Sequence, residues 1–292
     1  MNLYTINTGH FKLDGGAMFG VVPKSIWNKL NPADENNMCS WALRCLLIED
    51  GNRLILIDNG MGDKQDAKFF GYYYLHGNDT LDGSLAKHGF TKDDITDVVL
   101  THLHFDHCGG SIKREGDQLL PAFKNARYWS NENHWRWATA PNEREKASFL
   151  ADNILPIQQS GQLNFIAEIS KGDVNESNGF NPISSPLSDK LSFVIVNGHT
   201  DAMMLPVIYY KGQKIVYMAD LLPSVAHLPI PYVMGYDMFP LKTLTEKKVF
   251  LNEAVNKNYI LYFEHDPIHE CCSVEMTPKG IRQKEVFKLS EI

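Results

Sequence analysis

The sequence lacks the features that mark several classes of protein. Its N-terminus, MNLYTINTGHFKLDGG, has neither the basic start nor the apolar core of a secretory signal peptide. No uninterrupted apolar run approaches the roughly 20 residues that cross a bilayer. The five cysteines are odd in number and show no CxxC spacing, which indicates free thiols in a reducing compartment. These absences predict a cytoplasmic protein without a membrane partner.

Positive charge is also scarce. The formal net charge of the 292-residue chain is −7, and no basic stripe is visible along it. Because binding to phosphates needs clustered lysine and arginine, this balance argues against a nucleic-acid partner. Apolar residues make up 43% and charged residues 22%, as in ordinary globular proteins, and the chain is long enough to bury a sizeable core.

What the sequence does contain is a series of short apolar strands. Two of them, Trp41–Glu49 and Arg53–Asp58, flank the turn Asp50-Gly51-Asn52 and predict a β-hairpin. Strands and helices alternate along the rest of the chain, which predicts mixed β-sheets in a layered α/β fold. The other predicted strands are 97–100, 127–130, 191–196, 205–210, 214–218 and 259–263, and the predicted helices are 80–88, 131–139, 147–159 and 245–256.

The predicted domain organisation is simple. Neither an internal repeat nor a low-complexity segment interrupts the chain, so residues 1–292 are predicted to form a single domain. Residues from about 125 to 190 are interpreted as an inserted segment of helices and loops. Its second part, 172–188, is rich in Asn, Ser, Gly and Pro.

The stretch THLHFDHCGG, from Thr101 to Gly110, concentrates potential metal ligands directly after a predicted strand. His102 and His104 are two positions apart, so an extended loop places both on the same side. One such cluster does not complete a catalytic site, because the ion needs three protein ligands and an open position. Further candidates stand at other strand ends, and the full set is His102, His104, Asp106, His107, His199, Asp220 and His265.

This set has the composition of a site for two metal ions. Five imidazoles and two carboxylates supply enough ligands for two divalent cations, with one carboxylate bridging them. Nitrogen and oxygen ligands without thiolate suit Zn²⁺, while Fe, Mn and Co remain open alternatives.

The same residues resemble the motifs of a known family. The run THLHFDH resembles the HxHxDH signature of the metallo-β-lactamase superfamily, and the resemblance extends over roughly residues 40 to 270 in the order expected for that family. Its other motifs are matched by Ile57-Asp58-Asn59-Gly60, Gly198-His199-Thr200, Met218-Ala219-Asp220 and Phe263-Glu264-His265.

Further segments are similar to one branch of this superfamily. DGGAMFGVVPK (Asp14 to Lys24), MADLLP (Met218 to Pro223) and VMGYD (Val233 to Asp237) resemble the branch that contains the quorum-quenching N-acyl-homoserine lactonases. Methyl parathion-type organophosphate hydrolases are similar to the same branch. The resemblance implies an αββα sandwich, in which helices flank two mixed β-sheets.

The resemblance also implies a division of the ligands between two ions. One ion would bind His102, His104 and His199, and the other would bind Asp106, His107 and His265. Asp220 would bridge both ions. Asp58 would accept a hydrogen bond that orients ligand imidazoles, a role that metal-bound histidine generally requires.

The predicted function is hydrolysis of a small-molecule ester or lactone, with an N-acyl-homoserine lactone preferred. A hydroxide shared by the two ions would attack the carbonyl, and Asp106 or Asp220 would carry the proton to the leaving oxygen. His104 stands where superfamily members with oxygen chemistry have glutamate, which favours hydrolysis. The alternatives are an organophosphate triesterase or a general esterase or thioesterase on the same site, and a metal-binding sensor without catalysis.

Other residues allow two interpretations each. Met18 and Phe19 follow two glycines and are predicted to line a substrate pocket, with edge packing as the alternative. His227 either reaches the substrate or is a surface or capping histidine. The tryptophans of the insert, with His134, either form a face that covers the site or supports a homodimer, or pack in the core. Cys108 is either a packing group or a weak additional ligand.

The pocket prediction can be tested with Met18→Ala. If the Met18 side chain contacts the acyl chain, its removal lowers kcat/KM more for a long-chain than for a short-chain N-acyl-homoserine lactone, because the longer chain loses more apolar contact. The measurement is kcat/KM with butanoyl and decanoyl substrates. An equal loss for both substrates would contradict the pocket role.

Overall fold

The structure, a computed structural model, describes residues 1–167 and 169–292. The strands are β1 Asn2–Asp14, β2 Met38–Asp50, β3 Arg53–Ile57, β4 Asp97–Val99, β5 Ile112–Glu115, β6 Gln118–Pro121, β7 Arg127–Ser130, β8 Leu163–Phe165, β9 Ile183–Ser184, β10 Leu191–Val196, β11 Met203–Tyr210, β12 Gln213–Tyr217, β13 Ile260–Tyr262, β14 Cys271–Thr277 and β15 Gly280–Phe287. The α-helices are α1 Gly15–Phe19, α2 Lys24–Trp27, α3 Ala67–Tyr73, α4 Leu81–Lys87, α5 Phe105–Cys108, α6 Glu132–Thr139, α7 Ala151–Gln159 and α8 Pro240–Lys257. Residue 168, within the predicted insert, lies outside the described residues.

The first of two compact units comprises Met1–His10 and Leu43–Ala167. Its main sheet has the strand order β1-β2-β3-β4-β7-β8 among the described residues. β2 and β3 pair antiparallel, whereas β3, β4, β7 and β8 run parallel to one another. Because β3 and β4 are parallel neighbours, the segments that follow them leave the sheet at the same edge.

The predicted hairpin at the start of this unit is confirmed. Asp50 pairs with Arg53, so Gly51 and Asn52 form a two-residue turn, and Gly51 has a φ of 62°. The strand after the turn, β3, lies inside the sheet between β2 and β4. Its residues Ile55, Leu56 and Ile57 are fully inaccessible to solvent.

The second unit comprises Phe11–Ala42 and the described residues from 169 onward. Its sheet has the order β15-β14-β13-β12-β11-β10-β9. β12 and β13 are its parallel pair, and the other neighbouring strands run antiparallel. The connection between β12 and β13 contains helix α8, as expected for a parallel crossover.

The predicted α/β fold class with mixed sheets and helices is confirmed. The prediction of one domain over residues 1–292 stays a prediction. The elements that were not predicted include β1, helix α3, and the β5–β6 and β14–β15 hairpins. α8 begins at Pro240, five residues before the prediction, because proline is well accommodated in the first turn of a helix. No helix among the described residues is long and apolar enough to span a bilayer.

Within the predicted insert, α6 begins where its sequence indicates. The side chain of Asn131 accepts a hydrogen bond from the backbone nitrogen of His134 at 2.9 Å and caps the helix. Trp129 and Trp135 are buried in the first unit, which favours the interpretation that these tryptophans pack in the core. The homodimer stays a prediction.

The backbone around Gly62 provides a test of how closely this unit is packed. Gly62 has a φ of 69°, and a Cβ atom there would lie 2.5 Å from the carbonyl oxygen of Gly109. Gly62→Ala should therefore lower the free energy of unfolding by about 3 kcal/mol, from left-handed strain together with overpacking. Urea denaturation measures the change.

Gly51→Ala is the matched control. Gly51 has a similar φ of 62°, but a Cβ atom there would meet no heavy atom within 4 Å. Gly51→Ala should lower the free energy of unfolding only by the left-handed strain, about 1 kcal/mol. Equal losses for the two variants would show that the contact between Gly62 and Gly109 does not restrict the backbone.

Candidate metal centre

The THLHFDHCGG stretch, called the ligand motif below, follows β4 in the first unit. An extended segment carries His102 and His104, and the short helix α5 that follows carries Asp106 and His107. All four side chains are buried, at 8% exposure or less. Nε2 of His102 lies 3.1 Å from Nδ1 of His104, so the two imidazoles direct ring nitrogens at the same point. The structure thus brings the predicted ligands of the motif together.

Asp58 follows β3 and is completely buried beside this motif. Its carboxylate accepts hydrogen bonds from the backbone nitrogen of Thr101 at 2.8 Å and from the Thr101 hydroxyl at 2.7 Å. It also lies 3.1 Å from Nδ1 of His107, whose Nε2 is 3.8 Å from Asp106 Oδ2. This is the contact that the predicted role of Asp58 requires.

The second unit brings together His199, Asp220 and His265, which follow β10, β12 and β13. Oδ2 of Asp220 lies 3.1 Å from Nε2 of His199, and Oδ1 lies 3.3 Å from Nε2 of His265. The carboxylate therefore faces one imidazole with each oxygen. This is the geometry of a carboxylate that can serve two neighbouring cations.

The remaining nitrogen of each of these imidazoles is also held. Nδ1 of His199 lies 2.9 Å from Asp237 Oδ1, and the Thr243 hydroxyl donates to Asp237 Oδ2 at 2.8 Å. Nδ1 of His265 lies 2.8 Å from the carbonyl oxygen of Ala42. Burial by itself lowers the pKa of His199, but the carboxylates of Asp220 and Asp237 outweigh it and raise that pKa to about 10. The surroundings of this ring thus favour positive charge.

The first unit repeats the pattern. Nε2 of His104 lies 3.0 Å from Glu145 Oε1, and Nδ1 of His102 lies 3.1 Å from the Thr101 hydroxyl. Each of the five candidate histidines therefore has one nitrogen held by a protein oxygen and the other turned towards another candidate ligand. Metal-binding histidines have this arrangement, and the nitrogen and oxygen donors fit divalent cations such as Zn²⁺.

Two of these acceptors were missed in the sequence. Asp237 stands in the VMGYD segment, which supported the resemblance but was assigned no role. Glu145 lies in the charged run Asn142-Glu143-Arg144-Glu145-Lys146, which looks like a solvated surface. No local pattern distinguishes Glu145 from Glu143, although Glu145 is 2% exposed.

An aromatic cluster next to the motif was also missed. Phe105, between the predicted ligands His104 and Asp106, packs against two residues of helix α3. Its ring centroid is 5.3 Å from that of Phe69 and 4.6 Å from that of Tyr73. Burial, and then the charge of Asp106, raise the pKa of Tyr73 to about 12, so its phenol is protonated at neutral pH.

The three predicted pocket residues lie together in the second unit. The ring of Phe19 stacks on that of His227 with centroids 4.6 Å apart, and Nε2 of His227 lies 2.9 Å from the Met18 carbonyl oxygen. The other nitrogen, Nδ1, lies 2.8 Å from the Ser224 hydroxyl. Burial lowers the pKa of His227 to about 3. A neutral ring with both nitrogens engaged favours the capping interpretation, and the pocket role stays a prediction.

The segment after His227 is held by one lysine. Lys247 in α8 is completely buried. Its ammonium donates to the carbonyl oxygens of His227 at 2.8 Å, Pro229 at 3.2 Å and Tyr232 at 2.7 Å. The course of residues 227–232 is therefore fixed through their backbone.

Two acidic residues beside His265 are buried. Glu264 and Asp266, which flank it, are 0% and 4% exposed. Asp266 accepts hydrogen bonds from the backbone nitrogens of Val225 at 2.9 Å and His269 at 2.7 Å. A carboxylate that accepts hydrogen bonds from backbone nitrogens is stable in the interior. The alternation of polar and apolar residues along the sequence does not reveal such burial.

Comparison with known proteins identifies the family of this chain. A sequence model of the Metallo-beta-lactamase superfamily matches residues 44–265, which is most of the chain. The chain therefore belongs to the metallo-β-lactamase superfamily. This membership places it among metal-dependent hydrolases, as predicted.

Individual relatives support the predicted branch at low identity. N-acyl homoserine lactonase AiiA from Bacillus thuringiensis subsp. kurstaki is 29% identical over 119 residues, which are 37% of this chain and 43% of that protein. The chain thus spans less than half the length of this curated relative in the match. The resemblance to lactonases is confirmed to this extent.

Solved structures extend the comparison to nearly the whole chain. A probable metal-dependent hydrolase from Staphylococcus aureus is 27% identical, with a TM-score of 0.84 over 98% of this chain and 96% of that chain. AidC, a dizinc quorum-quenching lactonase, is 22% identical, with a TM-score of 0.76 over 98% and 95%. At the identity of AidC, the likeness shows the fold alone.

The environment of Cys108 predicts that its thiol is not a ligand. Burial raises the pKa of Cys108 to about 12, and Sγ donates to the Leu103 carbonyl oxygen at 3.3 Å. Cys108→Ala should keep the metal content of the wild type and lower the free energy of unfolding by about 1–2 kcal/mol, through a lost contact and a small cavity. Elemental analysis and urea denaturation test both parts. A lower metal content in the folded variant would instead make the thiol a ligand.

Proposed function

We propose that this chain is a dinuclear metal-dependent hydrolase that opens the ring of an N-acyl-homoserine lactone. The observation that carries the proposal is the anchoring of all five histidines through one nitrogen. Such anchoring fixes the tautomer and direction of an imidazole, which a metal ligand needs and an ordinary surface histidine does not.

The ligand assignment is part of the proposal. One ion would be held by His102, His104 and His199, the other by Asp106, His107 and His265, and Asp220 would serve both. Asp220 supports the bridging role, since its two oxygens face different imidazoles.

When bound, two such ions lower the pKa of a shared water from about 16 towards 7 and so supply hydroxide at neutral pH. The residues of the chain supply proton transfer and orientation. Asp106 or Asp220 carries the proton to the leaving oxygen, since both are buried carboxylates of the site. Tyr73 is protonated at neutral pH like any tyrosine, and its raised pKa makes ionisation harder still, so it is suited to donate a hydrogen bond but not to act as a base.

The aromatic cluster supports a substrate with an apolar chain. Phe105, Phe69 and Tyr73 lie directly beside the ligand motif, and α3 is followed by exposed Tyr74 and Leu75. Apolar surface at this position suits the acyl chain of an ester or lactone. The likeness to proteins described as N-acyl homoserine lactonases supports the same substrate class.

A substrate panel with metal analysis tests the proposal. The metal content of the purified protein is measured by elemental analysis, and turnover is measured on homoserine lactones, a paraoxon-like triester and a thioester. We expect two ions per chain and the highest kcat/KM on a lactone. Fewer than one ion per chain, or no ester turnover after metal loading, would overturn the enzyme assignment. A higher value on the triester or the thioester would overturn the lactone assignment.

Two ligand variants should abolish turnover. His104→Ala removes a ligand of one ion and Asp220→Ala removes the bridge, so each should lower kcat by at least about a thousandfold. Circular dichroism should remain that of the wild type. His88→Ala, an exposed histidine that ends α4, is the control and should retain full activity. Full activity of either ligand variant would contradict the assignment.

A further inference from the structure

Among the contacts of the segment 131–149 with the ligand motif of the first unit, two bear directly on His104 and the backbone beside it. At the first, Nε2 of His134 accepts a hydrogen bond from the backbone nitrogen of Leu103 at 2.9 Å. His134 is completely buried and stands in the first turn of α6. Leu103 lies between the two candidate ligands His102 and His104, so α6 fixes the backbone that carries them.

The second point is the carboxylate of Glu145. Oε1 lies 3.0 Å from Nε2 of His104, and Oε2 accepts a hydrogen bond from the Trp137 indole nitrogen at 2.6 Å. The backbone nitrogen of Glu145 donates to the Asn142 side chain at 3.2 Å. With 2% exposure, this carboxylate is held in one position by groups from both sides.

The energy of this arrangement favours a cation at His104. Removing a carboxylate from water is unfavourable, and positive charge nearby offsets that cost. An imidazole that donates its N–H to a carboxylate becomes a stronger electron donor at its other nitrogen. That other nitrogen is Nδ1 of His104, which points towards His102 Nε2 at 3.1 Å.

We propose that Trp137 and Glu145 form a positioning pair that sets the metal affinity of the site through His104. Trp137 orients the carboxylate, and the carboxylate orients and polarises the imidazole. The inference rests on the proposed function for its ligand assignment: the affected ion is the one assigned to His102, His104 and His199. The ion assigned to His107, whose imidazole is oriented by Asp58, keeps its affinity.

The first unit offers a matched control for the burial of such a carboxylate. Asp97 is 1% exposed and accepts a hydrogen bond from the Trp129 indole nitrogen at 2.9 Å. Its other oxygen binds Arg53 at 2.8 Å, a cation of the chain itself. Asp97 thus makes the same tryptophan contact without touching a candidate ligand.

The experiment compares Glu145→Gln, Trp137→Phe and Asp97→Asn. Each protein is stripped of metal and titrated with Zn²⁺ against a competing chromophoric chelator, which gives the two dissociation constants. In Glu145→Gln, the single amide oxygen cannot accept hydrogen bonds from both His104 and Trp137. We therefore expect the dissociation constant of one ion to rise by about tenfold to a hundredfold and that of the other ion to change less than about threefold. Trp137→Phe should raise the same constant by a smaller factor. Asp97→Asn should lower thermal stability and leave both constants unchanged.

Spectra of the Co²⁺-loaded proteins add a readout that a purely structural role would not change. Glu145→Gln should shift the visible absorption of one bound ion, and Asp97→Asn should reproduce the wild-type spectrum. Unchanged constants in a folded Glu145→Gln variant, or equal weakening of both ions, would overturn the positioning role. If the wild type binds two ions and the constants change as expected but no ester is turned over, the proposed function fails and the positioning role stands.

Discussion

The contact on which the rest of this site depends is the hydrogen bond between a buried imidazole and a protein oxygen. An imidazole has two nitrogens, and only when one of them is held does the other present a lone pair in a fixed direction. Asp58, Glu145, Asp237 and the Ala42 carbonyl each hold one ring in this way. Without them the same histidines would be free to rotate or change tautomer, and the set of ligands would lose its geometry.

These acceptors act because the sheets deliver the histidines at fixed places. The candidate ligands follow β4, β10, β12 and β13, and each strand is buried and paired on both sides, so the segments that follow begin from rigid backbone. Close backbone contact adds to this rigidity in the first unit. Gly62 lies against Gly109, and Lys64 donates to the Gly109 carbonyl at 2.6 Å directly after α5. The fold itself therefore sets the positions of the candidate ligands.

Local patterns in the sequence predicted the parts of this molecule that depend on local physics. The hairpin around Gly51, helix α6 with its Asn131 cap, and strand β10 follow from turn chemistry, capping and β-branched residues. The family motif placed the candidate ligands. The sequence did not identify Glu145, Asp237 or the burial of Glu264, because each is defined by partners distant in the chain. A glutamate in a charged run looks the same whether it faces water or an imidazole.

The three hydrogen bonds from Lys247 have a consequence for how this protein can diversify. The ammonium holds residues 227–232 through the carbonyl oxygens of His227, Pro229 and Tyr232, and every amino acid supplies a carbonyl oxygen. The path of this loop is thus largely independent of the side chains it displays. Substitutions at the half-buried Ile230 can then alter what the loop presents to a neighbouring molecule without changing its course. One buried cation thus fixes the backbone path of the loop, while the side chains determine its surface chemistry.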